Sequence, residues 1–142
     1  MRTDLTGNST NPVDDKGRVS LPNKFRKLLS GVDLCLVRSE DPEFPYIKVY
    51  EADDYYEWIN QFFEDEGGFR SNSLQHQRKK ARLMNSTESV KLDGSYRIRI
   101  DPKLREYAKL GDKVKFIGMG DHVAIFGLDI AEELDRIQVY DD

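Results

Sequence analysis

The chain has 142 residues, enough for one ordinary core, and combines 38% hydrophobic with 34% charged residues. Its apolar runs are only a few residues long, which excludes a membrane-spanning helix, and its single cysteine, Cys35, excludes an internal disulfide and suits the cytosol. The net charge of −4 excludes a uniformly basic chain, so the placement of charge carries the information. Burial shared between subunits would supplement so modest a core.

Residues 1–13 are polar and include Pro12, which restricts any strand there to a sheet edge; no apolar stretch marks a signal peptide. Asp14 to Gly17 reads as a turn. Val19 and Leu21 then alternate with Arg18 and Ser20, the period of a strand that buries one face and presents Arg18 outward. Pro22 opens a short helix with Phe25, Leu28 and Leu29 inward, and Gly31 is its expected stop. Leu34–Val37 and Tyr46–Tyr50 read as a hairpin. Asp53 is the expected cap of a helix through Tyr56, Trp58, Ile59, Phe62 and Phe63, which Gly67-Gly68 ends. A basic helix is expected over Leu74–Met84.

Val90 and Leu92 then lead into a second turn at Asp93, a strand over Arg97–Ile100, and a helix capped by Asp101 with Pro102 at its first position. Leu104, Tyr107, Ala108 and Leu110 form its apolar side and Gly111 is its expected stop. Val114–Ile117 and Val123–Phe126 are strands around Gly118-Met119-Gly120-Asp121. Asp129, with Glu132 in a capping box, is expected to start the last helix, whose later apolar positions are Leu134 and Ile137.

The same order is therefore written twice. Asp14 falls on Asp93, Arg18 on Arg97, Val19 and Leu21 on Ile98 and Ile100, Lys24 on Lys103, and Arg26 on Arg105. The expectation is one domain over residues 1–142, made of two pseudo-repeats at about 1–62 and 88–139 and joined by the basic helix. Charge follows the repeat: Lys16 to Lys27 holds five basic residues and no acidic one, and Arg97 to Arg105 holds four basic residues against one Asp. Acidic residues gather in Glu51–Glu66 and Asp129–Asp142.

Two histidines and one cysteine provide no zinc-type spacing, so no metal and no cofactor is expected. His76 and His122 read as ordinary surface or loop residues. Cys35, in an apolar strand, reads as an inert thiol rather than half of a Cys–His nucleophile. No catalytic arrangement is present. The doubled Asp-x-x-x-Arg has two readings: a carboxylate that holds a turn and its neighbouring arginine, or an arginine projected toward phosphate or a guanine edge, for which its planar fork of donors suits it. The candidate DNA contacts are Arg18, Lys16, Arg97, Arg99, Lys24 and Arg26, with Asp14, Gly17 and Asp93 shaping the turns. Arg78, Lys79, Lys80 and Arg82 read as a solvated helix face. Trp58, Phe62 and Phe63 read as core or subunit contact.

These residues resemble the MraZ family of bacterial transcriptional regulators, whose fold is related to AbrB/SpoVT-type swapped-hairpin DNA-binding domains. The resemblance rests on Gly7, on Asp14-Asp15-Lys16-Gly17-Arg18-Val19-Ser20-Leu21-Pro22, on Leu92-Asp93, Arg97-Ile98 and Leu104-Arg105-Glu106-Tyr107-Ala108, and on Gly118-x-Gly-Asp121. It implies a mainly β, α+β fold with peripheral helices, a pseudo-two-fold duplicated double-split β-barrel. It implies a ring-shaped homo-oligomer, an octamer or dodecamer. It implies a cytoplasmic, nucleoid-associated protein that binds double-stranded DNA at short direct repeats in the promoter of a division and cell-wall gene cluster. Departures are Tyr96 where the family usually has glycine, Asp101 where it has proline, Phe126 where tryptophan is common, and the polar first strand. The first loop is therefore the expected principal DNA contact, and Arg18 should matter more than Arg97. The alternative from another class is an AbrB/antitoxin-like protein-interaction module acting through its acidic end. An enzyme would need a pocket of clustered titratable groups that the sequence lacks.

Overall fold

The computed structural model describes residues 2–29 and 33–137, and the apolar stretches within them form strands and short helices in the order expected. These are β1 (Asn8–Pro12), β2 (Arg18–Ser20), α1 (Asn23–Arg26), β3 (Asp33–Arg38), β4 (Ile47–Glu51), α2 (Ala52–Phe62), a 3-10 turn (Glu64–Glu66), α3 (Leu74–Asn85), β5 (Thr87–Lys91), β6 (Arg97–Arg99), α4 (Pro102–Tyr107), β7 (Lys113–Gly118), β8 (Val123–Gly127) and α5 (Leu128–Arg136). The fold is mainly β with peripheral helices, the α+β class the sequence implies.

Two antiparallel hairpins, β3–β4 and β7–β8, lie side by side through β4 and β8, with Ile47 opposite Ile125. The outer strands then cross over. β1 pairs with β7, and β5 with β3, so the six-stranded order is β1-β7-β8-β4-β3-β5. β1, polar and carrying Pro12, sits at a sheet edge, where proline's missing donor costs no ladder bond. β2 and β6 form a separate two-stranded ribbon.

The main core lies between the ribbon and the large sheet. Val19, Leu21, Ile98 and Ile100 from the ribbon segments meet Leu36, Val49, Phe116 and Ile125, with Phe25 of α1 and Leu104 of α4 closing the ends. Period-two alternation places the partners of these residues on the far face of the sheet. There Tyr50 packs beneath Tyr55, Ile59 and Phe63 of α2, and Phe126 packs beside Ala131 and Leu134 of α5.

Several local expectations are corrected. Asp53 does not cap α2, and Asp129 does not cap α5; the caps are Glu51 and Gly127, without side-chain bonds. In both cases the last strand residue already has the extended backbone a cap needs, with ψ of 155° and 151°, so strand passes directly into helix. Asp101 does cap α4, accepting from the Lys103 amide at 2.9 Å. That helix ends not at Gly111 but through Lys109, which takes the left-handed conformation at φ 55°. Gly31, the expected stop of α1, lies outside the described residues. Tyr56 is 59% exposed and Phe62 is also exposed, so the buried stripe of α2 is Tyr55, Ile59 and Phe63. The largest correction concerns the histidines. His76 is 1% exposed, packed between Phe63 and Phe69 and accepting from the Arg70 amide at its Nδ1. His122 is 6% exposed, packed on Tyr46 and Tyr50, with Nδ1 2.7 Å from Asp121. Burial lowers the pKa of His122, against the opposing pull of Asp121.

Candidate nucleic-acid interface

Each Asp-x-x-x-Arg segment folds into the same hydrogen-bonded turn. Asp14 Oδ1 accepts from the amides of Lys16 and Arg18 at 2.9 and 2.8 Å, and its Oδ2 accepts from Arg18 Nε at 2.7 Å. Asp93 Oδ1 accepts from Ser95 and Arg97 at 2.8 and 2.9 Å, and its Oδ2 from Arg97 Nε at 2.8 Å. The backbone closes alike, Gly17 N to Asp14 O at 3.0 Å and Tyr96 N to Asp93 O at 3.0 Å. A carboxylate is required because one oxygen serves two amides while the other serves a guanidinium. The Arg18 amide, aided by the Arg18 side chain and the Lys16 amide, holds the Asp14 pKa down from 3.8 to about 2. Asp93 is likewise lowered, chiefly by the Arg97 amide. In both turns only Nε is engaged. The two Nη groups of Arg18 and of Arg97 have no partner among the described residues, which leaves the bidentate edge of each guanidinium free.

The turns sit at opposite ends of the ribbon. In its register Arg18 faces Arg99, Val19 faces Ile98, and Ser20 faces Arg97. Val19 and Ile98 are buried, so Arg18, Ser20, Arg97 and Arg99 all stand on the other face. Arg18 directly opposite Arg99 is a like-charge cross-strand pair, which works against the ribbon and gains only from an added anion. Glu88 of β5 is attracted to Arg99, but burial, with repulsion from Asp101, raises its pKa.

The helices reach across to the opposite turn. Leu21 N donates to Tyr96 O at 2.8 Å, and Ile100 N donates to Gly17 O at 2.9 Å. Arg26 of α1, anchored by Nε on Leu21 O at 2.7 Å, lies 5.0 Å from the Tyr96 ring centre. Arg105 of α4 packs against Gly17, where an added Cβ would come 2.7 Å from its Cζ. Its buried Nε has no partner among the described residues. Gly17 takes φ 77° and Tyr96 takes φ 59°, so the tyrosine does not alter the turn but adopts glycine's conformation.

Of the candidate contacts, Arg18, Arg97 and Arg99 are brought onto one face, and Lys16 is exposed on the first turn. Arg26 stands beside the second turn. Lys24 is committed elsewhere: its Nζ donates to Asn8 O at 2.6 Å and its chain covers Gly7. Arg105, which with Lys103 reads from the sequence as either a solvated helix residue or a phosphate contact flanking the loops, joins the first turn. In the basic α3, Lys79 pairs with Glu66 at 2.6 Å and Lys80 covers Phe69, while Arg78 and Arg82 are exposed. Cys35 is buried and burial raises its pKa. No group of three or more His, Cys, Asp or Glu side chains suited to a metal occurs among the described residues. None of their helices is long and apolar enough to cross a membrane. The arrangement can therefore donate hydrogen bonds and positive charge to an anionic ligand.

Residues 5–73 match the family model described as "MraZ protein, putative antitoxin-like". Similar curated proteins are named transcriptional regulator MraZ. That of Coxiella burnetii is 35% identical over 116 residues, covering 81% of this chain and 74% of the relative. That of Phocaeicola vulgatus is 30% identical, covering 89% and 81%. That of Mycoplasmoides gallisepticum is 29% identical, covering 92% and 86%.

Proposed function

This chain belongs to the MraZ family, and on that premise we propose that it is a DNA-binding transcriptional regulator whose contact surface is the β2–β6 ribbon with its two turns. It is not an enzyme; the relatives are named for regulation of transcription. The observation that carries the reading is the pair of arginines fixed through Nε by Asp14 and Asp93. A guanidinium held this way is pre-oriented, and its Nη edge matches guanine O6/N7 or a phosphate. A two-stranded ribbon fits the major groove, which is about 12 Å wide.

The two pseudo-repeats, at about residues 1–62 and 88–139, would each supply one turn to this surface. A single subunit offers few cations, so its own affinity would be low. A ring-shaped homo-oligomer, an octamer or dodecamer, set against short direct repeats would gain strength through effective concentration. Exposed Tyr56 and Phe62 on α2, and Leu74 and Met84 on α3, are apolar area that such assembly would cover. The site in this reading lies upstream of the division and cell-wall gene cluster, and the protein is cytoplasmic and associated with the nucleoid.

Fluorescence anisotropy on a duplex from upstream of the protein's own gene tests this. Arg18→Ala should weaken specific binding by about tenfold or more, lower the salt slope by about one, and leave melting and oligomeric mass unchanged. Unaltered affinity would remove Arg18 from the interface. The antitoxin-like wording of the family description supports a second reading, a protein-interaction module using the acidic α5 (Asp129, Glu132, Glu133, Asp135). A pull-down that returns a toxin-like partner, with no binding to upstream DNA, would favour it.

A further inference from the structure

The second turn carries a large side chain that its counterpart lacks. Tyr96 occupies left-handed backbone at φ 59°, a conformation usual for glycine or asparagine and uncommon for a bulky aromatic. The ring contributes to none of the apolar clusters of the core and is 48% exposed. It is positioned by a cation: the Arg26 guanidinium, fixed on Leu21 O, lies over it at 5.0 Å. Core packing therefore gives no reason for an aromatic here, and a strained residue at a ligand-facing tip is an observation that points toward function.

We propose that Tyr96 is a specificity-determining residue, whose ring contacts the C5-methyl group of a thymine in the major groove. The inference rests on the DNA-binding reading above and names the base chemistry read at one end of the ribbon. Tyr96 precedes Arg97, and its carbonyl accepts from Leu21 N, so its Cα lies at the ribbon end beside the Arg97 fork. The thymine methyl is the apolar mark that base pairs present in the major groove, and it suits a half-exposed ring better than any hydrogen-bonding edge. The ribbon ends then differ in what they read. The Gly17 end offers Arg18 and Arg99, which are donors only. The Tyr96 end offers the Arg97 fork, with Ser20 opposite it and Arg26 beside it, and adds one apolar surface.

The test compares an upstream duplex synthesised with thymine against the same duplex synthesised with uracil, which lacks the methyl. Wild type and Tyr96→Phe should bind the thymine duplex about fourfold more tightly, the value of one buried methyl. Tyr96→Asn, whose side chain tolerates left-handed backbone, should lose that ratio while melting as wild type does; Tyr96→Gly serves the same purpose if the asparagine variant melts early. A ratio of one in wild type, or a ratio kept in both ring-less variants, overturns the inference. Arg18→Ala separates the two readings. Loss of binding in Arg18→Ala with an unchanged thymine ratio in the ring-less variants refutes the role of Tyr96 alone. Failure of wild type to bind the upstream duplex refutes both.

Discussion

Replacing Gly17 by alanine asks whether the first turn is held in left-handed backbone by the packing seen around it. Two costs add. An L-residue with a Cβ at φ 77° is disfavoured by about 1–2 kcal/mol relative to glycine. The new Cβ would also stand 2.7 Å from Arg105 Cζ and 2.9 Å from its Nη1. Restoring an ordinary separation of about 3.5 Å moves the guanidinium by about 0.8 Å. Arg105 Nε has no partner to lose among the described residues, so this second cost is small, and the total is about 2 kcal/mol. Urea denaturation at fixed protein concentration reads it directly. With a slope of about 2 kcal/mol/M, the midpoint should fall by about 1 M. Repeating the substitution in an Arg105→Ala background should return the contact part and leave only the backbone part. A loss below about 0.5 kcal/mol in the wild-type background would refute a rigid left-handed turn at Gly17, and a larger loss in the Arg105→Ala background than in wild type would refute the crowding by Arg105.

Other expectations follow from the same geometry. Because the Asp14 pKa is depressed, its contribution to stability is complete above 3.8 and is lost as pH falls toward about 2; midpoints measured down that range should drop less steeply in Asp14→Asn than in wild type. Gly118→Ala would place a Cβ 2.5 Å from the Thr6 amide nitrogen and 2.6 Å from the Leu5 carbonyl, backbone that cannot swing aside. A loss of about 1–3 kcal/mol and faster proteolysis before β1 should result. Lys48, 8% exposed, pairs with Glu40 at 2.6 Å and lies over Trp58. Lys48→Met should be within about 1 kcal/mol of wild type by denaturation, since the apolar side chain fills the buried site and Glu40, with a 54% exposed side chain, stays hydrated without its partner.

The features legible in the sequence are those that local chemistry decides. Asp14 and Asp93 announce their turns because a carboxylate two residues before one amide and four before another can serve both. Asp101-Pro102 announces α4 because both residues act within a single helical turn. The misread features depend on distant packing. Asp53 and Asp129 look like caps, but strand geometry at Glu51 and Gly127 makes a side-chain cap redundant. His76 and His122 look like loop residues because their burial comes from Phe63 and Phe69 in one case and from Tyr46 and Tyr50 in the other. Tyr96 looks like a break in the second turn, yet the Asp93 bonds hold it in glycine's conformation. The opposition of Arg18 and Arg99 could not be read at all, since register between remote strands is set by the core beneath them.

That remoteness has a physical consequence for the candidate interface. β1 leads into the first turn from its pairing with β7, and β5 leads into the second turn from its pairing with β3. Arg26 and Arg105 each brace the turn contributed by the other half of the chain. Neither turn is therefore supported by its own segment alone, and the two ends of the ribbon are coupled through one shared core. A change in α4 should be felt first at Gly17 and Arg18, and a change in α1 first at Tyr96 and Arg97. Loss of DNA affinity in Arg105→Ala would thus be an effect on how Arg18 is presented, separable from a direct phosphate contact because in an Arg18→Ala background the Arg105 substitution would cost no further affinity.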